Sequence, residues 1–234
     1  MNSTILKEIT KSSYSITESF KKLRTNFLFS GTDIKTVVVT SCIKNEGKST
    51  ISVELAKSLA DVEKKVLFID SDLRRSIFAS KYTENQNGIV GLSEYLSGQA
   101  EKDDILYSTQ YPNLTFVFAG AVPPNAVELV GSSKFEAFLK EMREVYDYII
   151  IDAPPLGEVI DAEVISSFCD GAVMVISANK ISYRFATEVK KQIERSGCKI
   201  LGAILNNVST KKHSYYSKYY KEHYGNDYMP QEKK

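Results

Sequence analysis

Three consecutive residues with the means to bind a phosphate, Lys48, Ser49 and Thr50, stand at the end of the run T-V-V-V-T-S-C-I-K-N-E-G-K-S-T, residues 36–50. Thr36 to Val39 are β-branched and read as a buried strand. A short polar loop follows, and Gly47-Lys48-Ser49-Thr50 opens a helical run, I-S-V-E-L-A-K-S-L-A. Strand, tight loop, G-K-S and helix form the layout of a phosphate-binding P-loop. The N–H groups of Asn45, Glu46, Gly47, Lys48, Ser49 and Thr50 would cradle an anion at the helix N-terminus. Lys48 can reach the β/γ-phosphates, and the Ser49 hydroxyl suits Mg²⁺. The loop departs from the usual pattern, G-x-x-x-x-G-K, because Cys42 occupies the first Gly position. Asn45 sits where a second Gly is common, and Asn tolerates positive φ better than most residues.

Two further apolar runs end in carboxylates. Val66 to Ile69 reads as a strand buried on both faces and leads into D-S-D-L-R, with Asp70, Asp72 and Arg74. Ligands of open α/β sheets bind at the C-terminal ends of the strands, so two carboxylates there suit a Mg²⁺ site or a general base. A helix cap would account for Asp72 but not easily for both. Tyr148 to Ile151 is the second run. It ends in D-A-P-P, where Asp152 reads as the acidic residue that holds Mg²⁺ directly or through water and the prolines fix the exit of the chain. Asp161 in V-I-D-A-E is expected as a helix N-cap. The amide pair Asn206-Asn207 follows the last strand and would either read an adenine edge or make a turn.

The elements that must position these residues alternate. Strands are expected at 36–39, 66–69, 114–118, 148–151, 172–177 and 200–205. Helices are expected after the P-loop, at 91–98, at 133–146 with Phe135, Phe138, Leu139, Met142 and Val145 on one face, and at 182–196 with Phe185, Val189 and Ile193 inward, closed by Gly197. This order predicts an α/β fold: a mostly parallel sheet with helices on both faces. Residues 76–113 are less periodic, and Tyr82, Tyr95, Tyr107 and Tyr111 read as packing or surface residues. The loop around Pro123-Pro124-Asn125 is either a lid or a connector. The chain of 234 residues is long enough for a substantial core. A net charge of +1 gives no global field for nucleic acid. Cys42, Cys169 and Cys198 are widely spaced, which is neither a zinc pattern nor a disulfide framework and suits a reducing compartment. No apolar run approaches ~20 residues, so no membrane span is expected, and the N-terminus lacks the apolar core of a signal peptide.

Residues 1–14 are polar and expected to be loose. Ser15 to Glu18 reads as a capping box, opening a helix over 16–29 with Ile16, Phe20, Leu23 and Phe27 on one stripe. Glu18, Lys21 and Arg24 share a flank that is either a solvated face or the docking edge for a neighbouring subunit. From residue 209 the composition changes: aliphatic residues vanish apart from Met229, and Tyr215, Tyr216, Tyr219, Tyr220, Tyr224 and Tyr228 are interleaved with lysines and serines. Such a tail cannot bury a core. It reads as a tyrosine-faced helix, a basic-aromatic nucleic-acid patch, or a run of phosphate acceptors. The expected organisation is therefore a flexible N-terminus (1–14), one domain (15–208) and a flexible tyrosine-rich tail (209–234).

Taken together, S-C-I-K-N-E-G-K-S-T, F-I-D-S-D-L-R, I-I-I-D-A-P-P and the tyrosine cluster resemble the bacterial tyrosine kinases. More narrowly, the chain resembles the separate cytoplasmic kinase of Gram-positive capsule or exopolysaccharide systems, the CpsD/CapB type. The resemblance runs from Glu18 to Tyr228. E-S-F-K-K-L-R is similar to the family's E-x-x-R-x-x-R oligomerisation motif with Lys21 in place of the first Arg. P-P-N-A-V-E-L-V-G-S is similar to P-P-N-P-x-E-L-L with Ala126 in place of proline. Lys44-Asn45 replaces the usual Pro-Gly before E-G-K-S. The MinD/ParA ATPases carry a signature lysine where this chain has Ile43, and the motifs of eukaryotic-type kinases are missing.

The resemblance implies an ATP- and Mg²⁺-dependent protein-tyrosine kinase with a P-loop NTPase-like three-layer fold. Lys48 would hold phosphate, and Ser49, Asp72 and Asp152 would hold Mg²⁺. Asp70, or alternatively Asp72, would orient or accept the proton of the tyrosine hydroxyl, and Arg74 would support the second motif or neutralise phosphate charge. It also implies a ring of subunits joined through helix 16–29, and tail tyrosines phosphorylated by a neighbour. The implied partners are a membrane-embedded polysaccharide co-polymerase that activates the kinase at the inner face of the membrane and a cognate tyrosine phosphatase, with no nucleic acid. Lys21 keeps the charge of the Arg it replaces but loses the bidentate fork. The alternatives are a ParA/MinD-like regulatory ATPase and a nucleotide-dependent scaffold without phosphotransfer.

Overall fold

Val37, Val38 and Val39 are fully buried because strand β2 (Thr36–Ser41) lies inside the sheet with neighbours on both sides. The structure, a computed structural model, describes residues 2–7, 14–83 and 88–208. Beside β2 run β3 (Val66–Asp70), β5 (Leu114–Val117), β6 (Tyr148–Asp152), β7 (Gly171–Ser177) and β8 (Lys199–Asn206), all parallel. Two-residue strands β1 (Asn2–Ser3) and β4 (Tyr107–Ser108) complete the order β1-β4-β5-β3-β6-β2-β7-β8. The β4–β5 pair alone is antiparallel among the described strands. The mixed α/β architecture with a mostly parallel sheet agrees with the expectation.

Side chains alternate between the faces as the strand period requires. Val38, Leu67, Ile69, Ile149 and Ile151 enter one apolar cluster, and Val37, Val39, Phe68 and Ile150 enter the other. Helices cover both faces. Helices α1 (Tyr14–Leu28) and α2 (Lys48–Ala60) bury Phe27, Val53, Leu55 and Leu59 in the second cluster. Helices α7 (Ser133–Val145), α8 (Asp161–Ser166) and α9 (Tyr183–Arg195) bury Phe138, Ile165 and Ile193 in the first. Ser132 and Ser182 cap α7 and α9 by accepting from the N–H three residues on, the bond favoured at a helix start. Val145 ends α7 and is 54% exposed, so it leaves the apolar face assigned to it from the spacing.

Several expectations change. Of the N-terminal residues expected to be loose, 2–7 are held against the rest of the fold. Asn2 N–H donates to Leu106 O and Thr4 N–H to Ser108 O. Gln110 bonds both the N–H and the carbonyl of Leu6, whose side chain is buried in the second cluster. One apolar residue in a polar segment leaves no periodic signal, and its partners lie about a hundred residues away. Helix α1 begins at Tyr14, so Ser15 lies inside it instead of capping it. Among its described residues the aperiodic stretch holds α4 (Leu92–Leu96), where a helix was expected at 91–98, and two unexpected short helices, α3 (Phe78–Tyr82) and α5 (Lys102–Ile105), too short to display a helical period. Phe78 joins an aromatic cluster with Phe68, Phe116 and Phe118 at centroid distances of 5.0, 5.6 and 6.5 Å. The Pro123-Pro124-Asn125 loop leads into α6 (Ala126–Val130), whose Ala126, Leu129 and Val130 are buried in the first cluster, as a connector would be. Asp161 is the first helical residue of α8, with Ile160 in the cap position. The six tail tyrosines lie outside the described residues.

Candidate active site

Parallel strands deliver their C-terminal ends to one edge. The register there is specific: Asp70 at the end of β3 pairs with Asp152 at the end of β6, and Val39 of β2 pairs with Asp152 on its other side. Because β6 lies between β2 and β3, the P-loop after β2 flanks both carboxylates. A cleft of about 870 Å³ opens there, walled by Lys48, Ser49, Asp70, Asp72, Arg74 and Asp152 among others. It also reaches Asn45, Glu46, Gly47 and Thr50.

The P-loop is built around Glu46. Its carboxylate is 1% exposed and accepts from Cys42 N–H at 2.8 Å, Ile43 N–H at 3.0 Å and, across 131 residues, Ser177 N–H at 2.9 Å. The side chain thus turns into the backbone, while the residue's position in the loop still borders the cleft. The carbonyl of Glu46 accepts from Asn206 Nδ2 at 2.9 Å. In this structure the Asn206 amide therefore braces the loop, and Asn207 (φ 56°) donates to Ser177 Oγ at 3.0 Å. Asn45 takes the left-handed conformation that its type permits (φ 62°), and Gly47 does the same at 89°. A Cβ at Gly47 would lie 2.1 Å from Asn206 Nδ2. Lys44 N–H is held by Glu158 at 3.0 Å and the Asn45 carbonyl by Lys180 at 3.2 Å. Cys42 is fully buried, and burial, followed by the charge of Glu46, pushes its thiol up to about 12. It stays protonated and serves as packing.

Lys48 is 7% exposed; its ammonium lies 2.9 Å from Asp152 Oδ2 and 3.3 Å from Ser49 Oγ. Asp152 is further oriented by Ser52 Oγ at 2.9 Å, one helical turn after Lys48. Asp70 is 2% exposed and accepts from Ser76 Oγ and from Asp72 N–H at 3.2 Å. Burial, and after it the neighbouring Asp152 carboxylate, push Asp70 up to about 7, against the Ser76 bond and Lys48. Asp72 is half-buried and also raised, chiefly by burial. A carboxylate near 7 can either accept or return a proton at neutral pH. Ser52 and Ser76 belong to none of the sequence motifs. The spacing of Ser52 from Lys48 on one helix was a usable signal, whereas Ser76 becomes visible only when the loop after β3 turns back on Asp70.

The donor set fits ATP with Mg²⁺. Among the described residues no group of three His, Cys, Asp or Glu side chains could hold a metal alone. Mg²⁺ is characteristically held by one or two carboxylates, waters and substrate phosphates, and Ser49, Asp72 and Asp152 offer that kind of partial shell beside a phosphate cradle whose Gly47 position admits no Cβ.

On α1, Glu18 and Lys21 are exposed and paired at 2.7 Å. Arg24 is half-buried and donates to Ser58 O at 2.9 Å and Ser58 Oγ at 3.3 Å in α2. It ties α1 to the P-loop helix within the chain. No described helix is long and apolar enough to cross a membrane.

A mostly parallel sheet with a P-loop after one strand and carboxylates at the ends of two others defines a P-loop NTPase fold. The family described as an AAA domain matches residues 35–200. Tyrosine-protein kinase CpsD of Streptococcus agalactiae is 43% identical over 192 residues, covering 82% of this chain and 83% of that protein. The crystal structure of the chimerical protein CapA2B2 superposes with a TM-score of 0.78 at 28% identity, covering 89% of this chain and 94% of that one. The kinase domain of Escherichia coli tyrosine kinase ETK gives 0.75 at 29% identity, covering 82% and 77%. The chain belongs to the bacterial tyrosine-protein kinases of the CpsD/CapB type, and its enzymatic class is that of a protein-tyrosine kinase.

Proposed function

We propose that this kinase transfers the γ-phosphoryl group of ATP to the tyrosines of its own C-terminal segment, Tyr215, Tyr216, Tyr219, Tyr220, Tyr224 and Tyr228, each acted on by a neighbouring subunit. The observation that carries the reading is the meeting of Lys48, Ser49, Asp70, Asp72 and Asp152 in one cleft at the ends of three adjacent strands. The P-loop N–H groups cradle the phosphates. Lys48 exchanges its carboxylate partner for a phosphate oxygen. Bound Mg²⁺ would neutralise charge on the transferring group, with Ser49, Asp72 and Asp152 as its holders. Asp70 orients the incoming tyrosine hydroxyl and accepts its proton, a role favoured by burial and by its raised pKa. Asp72, raised as well, is the alternative base. A loose transition state leaves positioning and charge neutralisation as the main sources of rate.

The subunit ring would form through α1, whose exposed Glu18–Lys21 edge is free of core duties and whose Arg24 couples it to α2. Phosphorylation adds like charge to the crowded tails, so the ring loosens. In the cell, the assembly would be recruited to the inner membrane face by a membrane-embedded polysaccharide co-polymerase, reset by a tyrosine phosphatase, and would regulate capsule or exopolysaccharide synthesis and export. The names of the CpsD relatives and of the CapA2B2 chimera support this placement in capsule systems. The test is an anti-phosphotyrosine blot of the purified chain with ATP and Mg²⁺, with and without the cytoplasmic fragment of the membrane partner. Wild type should label, while Lys48→Met and the six-fold Tyr→Phe tail should not. Wild type that hydrolyses ATP without labelling would replace this reading by a regulatory ATPase.

A further inference from the structure

Asp161 is a buried carboxylate that the transfer described above does not use. At the first position of α8 its side chain is 3% exposed, and its Oδ1 accepts from Arg74 Nε at 2.9 Å across 87 residues of sequence. Its second oxygen, Oδ2, is buried with no hydrogen-bond partner among the described residues. Arg74 itself is 41% exposed along its side chain and lines the phosphate cleft together with Lys48, Asp70 and Asp72.

The geometry points to Asp161 as a positioning residue for phosphoryl transfer, holding Arg74 by Nε so that its two Nη groups form a fixed cationic fork for the transferring phosphoryl group. The inference rests on the kinase reading of the cleft and adds to it the group that bears on the developing phosphoryl charge. Three points carry it. First, a surface arginine pays a large rotamer entropy when it is immobilised; an anchored carboxylate supplies that order before substrate arrives. Second, engagement through Nε leaves the end-on pair of Nη groups, the edge that matches two phosphate oxygens. Third, a buried carboxylate oxygen without a donor costs free energy, and such a cost persists in folded proteins where function uses it. Arg74 forms no covalent bond and yields no proton, since a guanidinium stays charged across the working pH range.

The plain competing role is structural: Asp161 could serve only the α8 N-terminus, where acidic residues are favourable. A double-mutant cycle on the full chain separates the two. Asp161→Asn, Arg74→Lys and the double variant are compared with wild type in single-turnover phosphotyrosine formation, in ATP hydrolysis, in affinity for a fluorescent ADP analogue, and in melting temperature. Arg74→Ala serves as a further arm. Positioning predicts that Arg74→Lys slows transfer about 10²-fold, the scale for one lost transition-state donor. Asp161→Asn should slow it about tenfold, and the double variant should be no slower than Arg74→Lys. ADP affinity and melting temperature should stay close to wild type. Losses that multiply, a Tm drop with the rate unchanged in Asp161→Asn, or an unchanged rate in Arg74→Ala would each overturn the proposal. If wild type forms no phosphotyrosine, the kinase reading alone falls and the same cycle is read on ATP hydrolysis. Absence of hydrolysis as well would sink both.

Discussion

Glu46 is the residue whose loss most directly tests how the P-loop is held. Its carboxylate satisfies three backbone N–H groups, two of them on fully buried residues (Cys42 and Ser177) and the third on half-buried Ile43. Glu46→Ala strands all three. An unsatisfied buried donor costs about 1–3 kcal/mol, and water can reach Ile43, so two donors at full cost give a loss of about 2–6 kcal/mol. That is a large fraction of the ~5–15 kcal/mol typical of a domain. Glu46→Gln keeps the size but turns an amide donor toward at least one of these N–H groups, so its cost should fall near the lower end, about 1–3 kcal/mol. The assay is urea unfolding of wild type and both variants, with ADP titration alongside. The expected result is a graded fall in midpoint at an unchanged slope, with nucleotide affinity lost in the same order, because the freed loop no longer presents its N–H groups together. An Ala variant that unfolds within about 0.5 kcal/mol of wild type, the range of an ordinary surface change, would refute the reasoning.

Three other outcomes follow, one from the P-loop and two from contacts elsewhere in the fold. Gly47→Ala should weaken ADP binding at least tenfold, since φ is 89° and the new Cβ would meet Asn206. Adding Asn206→Ala should restore part of the affinity, and no recovery would assign the whole loss to backbone strain. Asp170 is pushed up by burial, but Arg143 and the N–H groups of Thr36 and Lys35 outweigh this and hold it below the usual carboxylate range. Its contribution is therefore present above the unfolded value of ~3.9 and lost as pH falls through the lower folded value. Asp170→Asn should lower the melting temperature at pH 7 and converge on wild type in strong acid; a constant offset at all pH values would contradict this. Phe116→Ala empties the centre of an aromatic cluster, 4.5 Å from the Phe68 ring, and should cost about 3–5 kcal/mol in urea unfolding; a loss under 1 kcal/mol would mean that the cluster collapses to fill the space.

The legibility of this chain tracks the range of the interactions involved. Strands buried on both faces carry continuous β-branched or apolar runs, so 36–39, 66–69 and 148–151 announced the sheet centre, with a P-loop or a carboxylate at each strand end. Helix caps Ser132 and Ser182 are local bonds and could be anticipated within a residue or two. The Phe78 helix and the β4 strand could not, because elements of two to five residues show no period and are stabilised by what they touch. Leu6 illustrates the same limit: an apolar residue in a polar segment, it is recruited by Gln110 and the second apolar cluster.

Sequence by itself determined the P-loop, because Gly47, Lys48 and Ser49 act through local backbone geometry, and the carboxylates Asp70, Asp72 and Asp152, because a parallel sheet sends every strand end to one edge. Only the tertiary structure decided what each group does there. Glu46, expected on the phosphate side, turns inward to Ser177; Asn206, expected either to read a base edge or to make a turn, braces the loop; and Asp161, expected as a cap, grips Arg74. These contacts join residues 87–160 positions apart. Their partners are chosen by sheet order and register, which no local pattern encodes.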